Sequence, residues 1–598
     1  MSEPLGSLAR THTCGALRAS EAGADVVLFG WVQRVRDLGA LVFIDLRDRF
    51  GHTQVVVRDD EGLLAAAKHL RSEFVVAVLG RVDRRAPEAV NPKMETGEIE
   101  VSAREIRVLS EALTTPFPIV DEPNATEETR LKYRYLDLRR PPMQRNLMLR
   151  HRVALAIRQY LDSQGFAEIE TPILAKSTPE GARDFLVPSR VHPGFFYALP
   201  QSPQIFKQLL MISGMDRYFQ IVKCFRDEAL RADRQLEFTQ VDIEISFATR
   251  ELVFSVVEGL VAAAFRAAGL EIATPFRRLP HAEAIARYGS DKPDLRFGMT
   301  IEDVSDAFRE SGFGVFRDAV ASGGVVRGFV VAGGARYSRR ELDELGEQAR
   351  QHGLDGLVWA RIAEDGAAQS SALKAAGEAT IRQALERAGA SKGDLLLMAA
   401  GAPDPTSKAL GALRLAVAGK EGLLKRDQFA VEWVIDFPLF EWNAEEQRWD
   451  SVQHPFTSPT DEDAARLATD PGGVRGKIYD LVLNGWEIGG GSIRIHDSAI
   501  QSQIFRLLNI SDEEAKARFG FFVEALKFGT PPHGGIALGL DRIVAILAGE
   551  ESIRDVIAFP KTTAALDLMA DAPSEVNPRQ IEELHIRVAP RKPPHEPH

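Results

Sequence analysis

The sequence lacks several features that would place the protein in a compartment or a class. Only two cysteines, Cys14 and Cys224, occur among 598 residues, so neither a disulfide framework nor a cysteine zinc site is indicated. No run of about 18 apolar residues occurs. Residues 1–10 also carry no apolar signal-peptide core. We therefore expect a cytoplasmic protein that uses no membrane.

Positive charge is not in excess. The chain has 73 Lys and Arg against 85 Asp and Glu, for a formal net charge of −12. This balance argues against a general nucleic-acid coat, but a local basic surface could still bind RNA. The hydrophobic content of 45% predicts a globular chain. The length predicts three or four domains of roughly 150 residues.

Five short apolar runs occupy the N-terminal part of the chain, with a helical stretch at 63–70. The runs lie at 26–32, 41–47, 52–57, 74–80 and 98–101. Runs of this length with turn residues between them predict a small oligonucleotide-binding (OB) β-barrel. Such barrels stack single-stranded bases on aromatic side chains and guide the backbone with Arg and Lys.

The most informative stretch is a charged hairpin around residues 219–245. Val241 and Ile243 alternate with Asp242 and Glu244, which is strand periodicity with one polar face. Buried charges are costly unless they are paired or bind a ligand. The face is therefore either a solvated surface with salt bridges or a binding surface.

Two further stretches favour a binding surface. Residues 534–542 form a glycine-rich strand that leads into an apolar helix, and residues 165–172 read Gly-Phe-Ala-Glu-Ile-Glu-Thr-Pro. With the hairpin, they resemble the three signature motifs of class II aminoacyl-tRNA synthetases, in the right order. Within this class the pattern is most similar to the bacterial-type aspartyl-tRNA synthetases, and the resemblance covers nearly the whole chain.

The resemblance implies a multidomain architecture. The expected parts are an OB-fold anticodon-binding domain at 1–108, a hinge at 109–143, the first part of an α/β catalytic domain on an antiparallel sheet at 144–287, a GAD-like α+β insertion domain at 288–420, and the second part of the catalytic domain with a C-terminal extension at 421–598. It also implies a homodimer.

The activity that the resemblance implies has two steps. L-Aspartate attacks ATP to give aspartyl-adenylate and pyrophosphate, and the 3′-terminal adenosine of tRNA-Asp then accepts the aspartyl group. The implied partners are tRNA-Asp, ATP and L-aspartate, and Mg²⁺ is the implied cofactor with ATP.

The resemblance also assigns site residues. The expected catalytic residues are Arg226, Arg542 and Glu487, and Asp480 joins Glu487 as a metal ligand. The expected ATP-binding residues are Arg226, Asp227, Glu228, Gln235, Phe238, Glu487, Gly539, Leu540, Asp541 and Arg542. The expected aspartate-binding residues are Glu180, Ser202, Gln204, Lys207, Arg226, Asp242, His454 and Arg494. The expected anticodon-binding residues are Arg34, Arg36, Leu38, Phe43 and Gln54.

Two positions bear on how closely the chain follows this family. Members often have two adjacent histidines where this chain has Gln453-His454, so the role of the first histidine does not carry over. Members that also charge asparagine tRNA tend to have histidine where Leu38 stands, so Leu38 predicts charging of tRNA-Asp alone. Phe43 has an alternative reading as an ordinary barrel-core residue.

Rival functions remain to be separated from this one. The nearest rival is a sister synthetase for asparagine or lysine. Lysine would need acidic side-chain partners in place of Arg494 and Lys207, and the inserted domain fits neither sister well. A non-enzymatic RNA-binding relative should have lost Arg226, Glu487 or Arg542. A free-standing asparagine synthetase on the same fold would need no anticodon barrel.

Overall fold

The computed structural model describes residues 2–178, 182–363 and 365–589. The chain divides into two compact units. The first unit comprises Met1–Met148 and Ile557–Ser574, and the second comprises Leu149–Val556 and Glu575–His598. Within the described ranges, no helix combines the length and the apolar content that a membrane crossing needs.

The first unit contains a closed five-stranded barrel. Its elements are β1 (Asp25–Asp37), β2 (Leu41–Asp48), β3 (Gly51–Arg58), α1 (Glu61–His69), β4 (Val75–Arg84) and β5 (Ile99–Ser110). The strands close in the order β1-β2-β3-β5-β4. Alternate apolar residues of every strand point inward and form one core, as the period-2 pattern requires. The predicted OB barrel is confirmed.

Three helices follow the barrel: α2 (Glu127–Lys132), α3 (Arg134–Asp137) and α4 (Pro141–Ser163), within which the boundary between the units falls. The fully buried Asp137 binds Arg134 at 2.6 Å and Arg140 at 2.7 Å. Two arginines around one carboxylate fix the segment that was predicted to be a hinge. The proposed domain boundaries stay predictions.

The second unit opens with small strands and helices. They are β6 (Ala167–Glu168), β7 (Leu186–Pro188), β8 (Phe196–Ala198), α5 (Gln204–Ile212), β9 (Arg217–Phe225), β10 (Glu237–Ser246), α6 (Arg250–Ala267), β11 (Arg277–Pro280) and α7 (His281–Tyr288). Strands β9 and β10 pair antiparallel as the charged hairpin predicted.

A separate five-stranded sheet comes next, within the predicted insertion. Its elements are β12 (Ile301–Asp303), α8 (Ser305–Phe308), α9 (Gly314–Ala321), β13 (Val325–Val331), α10 (Arg339–Gln351), β14 (Val358–Ile362), β15 (Ala368–Ser370), α11 (Leu373–Ala376), α12 (Glu378–Arg387), β16 (Leu395–Gly401) and α13 (Pro403–Lys420). The strand order is β12-β13-β16-β14-β15. Alternate residues of β16, such as Leu395 and Leu396, enter two apolar cores on opposite faces of the sheet. This is the predicted α+β insertion.

The chain then completes the large sheet of the second unit. The remaining elements are β17 (Val431–Ile435), β18 (Phe440–Asn443), β19 (Arg448–Ser451), β20 (Ile478–Leu483), β21 (Trp486–Ile493), α14 (Ser498–Leu507), α15 (Asp512–Ala525), β22 (His533–Gly539), α16 (Leu540–Ala548) and α17 (Pro578–Glu583). The eight-stranded order is β11-β17-β20-β21-β22-β10-β9-β6, mostly antiparallel. It brings together segments that lie about 300 residues apart, such as β10 and β22.

A buried carboxyl group lies on β17 of this sheet. Neither oxygen of Glu432 has a hydrogen-bond partner among the described residues. Burial, reinforced by the negative charge of Asp294, raises the pKa of Glu432 to about 9, although Arg277 and Arg414 act against the shift. The folded protein therefore keeps a proton that the unfolded chain loses near pH 4.5.

This shift predicts how stability depends on pH. Because the folded-state pKa lies above the ordinary value, Glu432 makes the native state less stable as pH rises from about 4.5 to about 9. Glu432→Gln removes this dependence. The melting temperature of the variant relative to the parent should therefore rise between about pH 5 and about pH 8, by an amount equivalent to a few kcal/mol.

Scanning calorimetry at both pH values measures the difference. The exposed Glu310→Gln variant is the control, and its difference from the parent should not change with pH. A Glu432→Gln difference that is equally independent of pH contradicts the assignment of a neutral Glu432.

Candidate active site

A cavity of about 540 Å³ lies on the large sheet of the second unit. Most of the predicted site residues line it: Ser202, Gln204, Lys207, Arg226, Glu228, Gln235, Phe238, His454, Asp480, Glu487, Arg494, Gly539, Asp541 and Arg542. They come from α5 and the residues just before it, the β9–β10 hairpin, the loop after β19, β20, β21 and the residue after it, β22 and the start of α16. The sheet thus brings side chains from across more than 300 residues of sequence to one cavity.

One end of the cavity is built on two buried cations and two buried carboxylates. Arg494 contacts Glu244 through Nε at 3.0 Å and Nη2 at 3.2 Å, a forked arrangement suited to a planar guanidinium. Lys207 Nζ lies 2.5 Å from Asp242 and 3.3 Å from Glu244. We name these four residues the charge cluster. All are at most 1% exposed, so their charges act on one another through little water.

The two carboxylates of the charge cluster respond differently to burial. Burial raises the pKa of Asp242 in spite of Lys207. For Glu244, burial acts in the same direction, but Arg494 and Lys207 outweigh it and lower the pKa. Asp242 Oδ2 is buried and has no hydrogen-bond partner among the described residues, so one acceptor of the cluster is left unsatisfied.

Arg494 also reaches a neutral histidine. Its Nη1 lies 2.7 Å from His454 Nε2 and donates to Ser492 Oγ at 2.7 Å. Burial and the positive charges of Arg494 and Lys207 hold the pKa of His454 well below its usual 6.5. The guanidinium is therefore fixed by three partners in one orientation.

Two further arginines, Arg226 and Arg542, line the cavity. The guanidinium of Arg226 lies 5.0 Å from the centre of the Phe238 ring, within cation–π range. Arg542 donates to the backbone carbonyl of Glu487 at 2.6 Å and pairs with Asp233 at 3.1 Å. These contacts hold both positive groups at the cavity wall, where they can meet phosphate oxygens.

Two carboxylates suited to a hard cation lie beside the arginines. Asp480 on β20 is paired in register with Gly490 on β21. A Cβ added at Gly490 would lie 2.8 Å from Asp480 Oδ1 and 3.6 Å from Glu487 Oε1, so the absent side chain leaves room between the two carboxylates. Burial, followed by the charges of Glu487 and Asp291, raises the pKa of Asp480 well above its usual value. Mg²⁺ prefers oxygen ligands, and its charge would offset the repulsion between these two adjacent carboxylates.

Three predicted residues are placed outside the cavity lining. Asp242 lies behind the cavity wall against Lys207, and Leu540 is buried at the start of α16. Asp227 forms a backbone β-bridge with Arg183 and does not line the cavity. The prediction for Glu180 lies outside the described residues.

Asp541 lines the cavity, but its carboxylate oxygens make structural contacts with other parts of the chain. Its carboxylate accepts from Arg150 at 2.5 Å and from the backbone N–H of Thr239 at 2.8 Å. It thereby joins α16 to α4 and β10, so its predicted contact with ATP remains a prediction.

In the first unit, the barrel brings together three of the five predicted anticodon residues. Arg36 donates to Gln54 Oε1 at 3.0 Å and stacks over the Phe43 ring at 5.2 Å. Arg34 is exposed on the same strand, and Leu38 is 70% exposed in the β1–β2 turn. An aromatic ring, an amide and arginines on one barrel face form a surface typical of single-strand binding.

The sequence reasoning missed three residues at the cavity. Glu244 was noticed in the strand alternation but received no role, although that alternation places it on the same face as Asp242. Ser492 lies two residues before Arg494, a spacing that puts both side chains on one strand face. Asp291 lines the cavity from a loop after α7, and no sequence periodicity marks a loop residue as part of a site.

Comparison with family models agrees with both units. Residues 126–563 match the model described as tRNA synthetases class II (D, K and N). Residues 26–109 match the model described as OB-fold nucleic acid binding domain.

Similar proteins cover the chain almost from end to end. An aspartate–tRNA(Asp/Asn) ligase of Symbiobacterium thermophilum is 56% identical over 588 residues, which is 97% of this chain and 99% of the relative. An aspartate–tRNA ligase of Ruminiclostridium cellulolyticum is 54% identical over 591 residues, which is 98% of this chain and 100% of the relative.

Solved structures share the fold at low sequence identity. The asparaginyl-tRNA synthetase of Pyrococcus horikoshii with asparaginyl-adenylate has a TM-score of 0.57 at 18% identity, covering 92% of this chain and 98% of its own. A putative aspartyl-tRNA synthetase of Leishmania major has a TM-score of 0.58 at 19% identity. The match covers 94% of this chain and 96% of the Leishmania chain. The family match and the near-full-length relatives show that this chain belongs to the class II tRNA synthetases of the aspartate, lysine and asparagine group.

Proposed function

We propose that the protein is an aspartate–tRNA ligase that activates L-aspartate with ATP and transfers it to the 3′-terminal adenosine of tRNA-Asp. The observation that carries this proposal is one cavity lined both by the buried cations Lys207 and Arg494 and by Arg226, Arg542 and the carboxylates Asp480 and Glu487. Both named relatives cited above are aspartate–tRNA ligases.

The charge cluster explains the choice of amino acid. Its two cations and two carboxylates balance, and Arg226, which lines the same cavity, offsets the single net negative charge that aspartate brings. The substrate carboxylate would bind Arg494 and Lys207, and Gln204, which lines the cavity, would accept from the ammonium group. Asparagine carries no charge there and would leave both cations without a new partner, which supports discrimination on the order of 10⁴. The ammonium group of a lysine substrate would be repelled by the positive charges of Lys207 and Arg494.

The chemistry needs no activated side-chain nucleophile, because the substrate carboxylate itself attacks the α-phosphorus. Catalysis then rests on alignment and on stabilising negative charge. Arg226 forks onto the α-phosphate and the α-carboxylate of aspartate, and Arg542 faces the γ-phosphate. Asp480 and Glu487 would hold Mg²⁺, which supplies positive charge to the phosphate oxygens of ATP.

Arg494→Leu tests the amino-acid site. Aspartate-dependent ATP–pyrophosphate exchange should fall by about 10³-fold or more in kcat/KM, because the guanidinium that binds the side-chain carboxylate is gone. ATP affinity, measured by calorimetry, should stay within about threefold, because Arg226 and Arg542, which would bind the phosphates, remain.

The matched control is Arg340→Leu, which removes an 88% exposed arginine from the same unit and should leave the exchange unchanged. A melting curve separates lost binding from lost folding, since breaking a buried pair costs about 3–5 kcal/mol. Normal exchange in a folded Arg494→Leu protein would refute the aspartate site.

For the tRNA, we propose that the barrel reads the anticodon and that the enzyme charges tRNA-Asp alone. Relatives of equal similarity carry names of both kinds, Asp/Asn and Asp, so overall similarity does not decide the point. Leu38 supports the restricted choice, because it is exposed in a turn beside Arg36, Phe43 and Gln54. We place the reaction in the cytoplasm.

Leu38→His should relax this choice. The parent should charge purified tRNA-Asp and leave tRNA-Asn uncharged, and the variant should charge tRNA-Asn at least about tenfold faster than the parent, a change of about 1.4 kcal/mol. Leu113→His, at a 91% exposed leucine of the same unit, is the control and should behave like the parent. Comparable charging of both tRNAs by the parent would overturn the assignment of Leu38.

We also propose a homodimer formed through the second unit. Its β7–β8 hairpin and the segment before it expose large apolar side chains: Leu174 at 53%, Leu186 at 56%, Val191 at 70%, Phe195 at 72% and Phe196 at 46%. Apolar residues that are exposed together mark an interaction surface.

Sedimentation should give twice the 65.8 kDa chain mass. Phe195→Asp should shift the species towards the monomer, because it places a charge within an apolar interface. Val315→Asp, at a 64% exposed valine in the insertion, should leave the mass unchanged. A monomeric parent at micromolar concentration would contradict the proposal.

A further inference from the structure

Residues 289–300, between α7 and β12, bring an acidic side chain to the cavity. The proposed function gives this side chain no role. We name this segment the connector. Asp291 of the connector lines the same cavity as Asp480 and Glu487. Its side chain is exposed and makes no hydrogen bond or ion pair within the part of the chain that the structure describes. Its carboxylate is therefore available to a ligand in the cavity.

The connector is held firmly by the insertion. Arg414 of α13 is 2% exposed and donates to three backbone carbonyls of the connector, those of Asp294 at 2.9 Å, Phe297 at 3.3 Å and Met299. Its guanidinium also lies 4.0 Å from the centre of the Phe297 ring. One buried arginine thus fixes the backbone three residues after Asp291.

The connector also rests on the hairpin that carries the two metal-binding carboxylates. Gly485 forms the turn between β20, which bears Asp480, and β21, which bears Glu487. A Cβ at Gly485 would lie 3.2 Å from the Cβ of Asp294, so the two segments touch. Asp294 itself is buried and pairs with Arg296 at 2.6 Å. The position of Asp291 is therefore tied to that of the carboxylate pair.

The number of ligating side chains that lie close together decides whether Asp291 can bind a cation directly. Among the described residues, no three His, Cys, Asp or Glu side chains lie close enough together to ligate one ion. Asp291 is therefore not a third direct ligand beside Asp480 and Glu487. Mg²⁺, however, keeps several of its waters when one or two carboxylates and phosphates bind it. Carboxylates that accept hydrogen bonds from such waters orient the ion and tune its affinity.

We propose that Asp291 is a positioning residue of the activation step, accepting hydrogen bonds from water bound to the cation that Asp480 and Glu487 hold. The inference rests on the proposed function. It also gives the insertion a part in the site, because Arg414 holds the segment that presents Asp291.

Direct cation binding tests the inference apart from catalysis. Mn²⁺ is titrated into the full-length protein saturated with a β,γ-methylene analogue of ATP, and free Mn²⁺ is measured by electron paramagnetic resonance. Asp291→Asn should weaken Mn²⁺ binding by about tenfold, the low end for groups that act on metal-bound water. The control Asp355→Asn removes an exposed carboxylate of the insertion outside the cavity and should bind Mn²⁺ like the parent. Unchanged Mn²⁺ affinity in Asp291→Asn overturns the inference.

A second measurement separates positioning from a structural role. In aspartate-dependent exchange, Asp291→Asn should need more Mg²⁺ for half-maximal rate and should recover near-parent kcat at saturating Mg²⁺. A lower kcat and melting temperature with the same Mg²⁺ dependence would mean that Asp291 is structural. If the parent shows no aspartate-dependent exchange, the proposed function fails; if it does and Mn²⁺ binding is unaffected by the substitution, only this inference fails.

Discussion

The site depends on the burial of four charges next to one another on an antiparallel sheet. Each of Lys207, Arg494, Asp242 and Glu244 would cost several kcal/mol if it were buried alone. Together they balance, and the forked contact with Arg494 supplies a donor to each carboxylate oxygen of Glu244. The cluster therefore exists only if β10, β21 and α5 are held in the correct register.

The glycine-rich strand β22 supplies that register. Glu244 on β10 is paired with Gly535, and a Cβ at Gly535 would lie 2.3 Å from Glu244 Oε2 and 2.0 Å from the Ile243 carbonyl oxygen. No other residue fits there without displacing the carboxylate. The glycines of β22, which belong to the third signature motif, therefore leave space for the Glu244 carboxylate of the second motif as well as for a ligand. Because the pocket is formed before the substrate arrives, little reorganisation opposes binding.

This arrangement shows how far sequence reasoning could reach. Strand alternation placed Asp242 and Glu244 on one face, and apolar runs located all five barrel strands. Neither pattern reveals which cation neutralises which carboxylate, because Lys207 lies on a helix and Arg494 follows a strand 250 residues away from Glu244. The missing partner of Asp242 Oδ2 and the exposure of Asp291 depend on packing alone, so no local pattern encodes them.

The topology also explains how a large insertion can be placed beside the site without disturbing it. β11 and β17 pair in parallel, and parallel neighbours require a long crossover connection. The chain leaves the sheet through α7 after β11 and returns at β17, so the insertion lengthens a connection that the sheet needs in any case. Strands β20 and β21, which carry the metal-binding carboxylates, lie further inside and keep their own antiparallel pairing. The connector clamped by Arg414 places Asp291 in the cavity lining, so this segment links the insertion to the site.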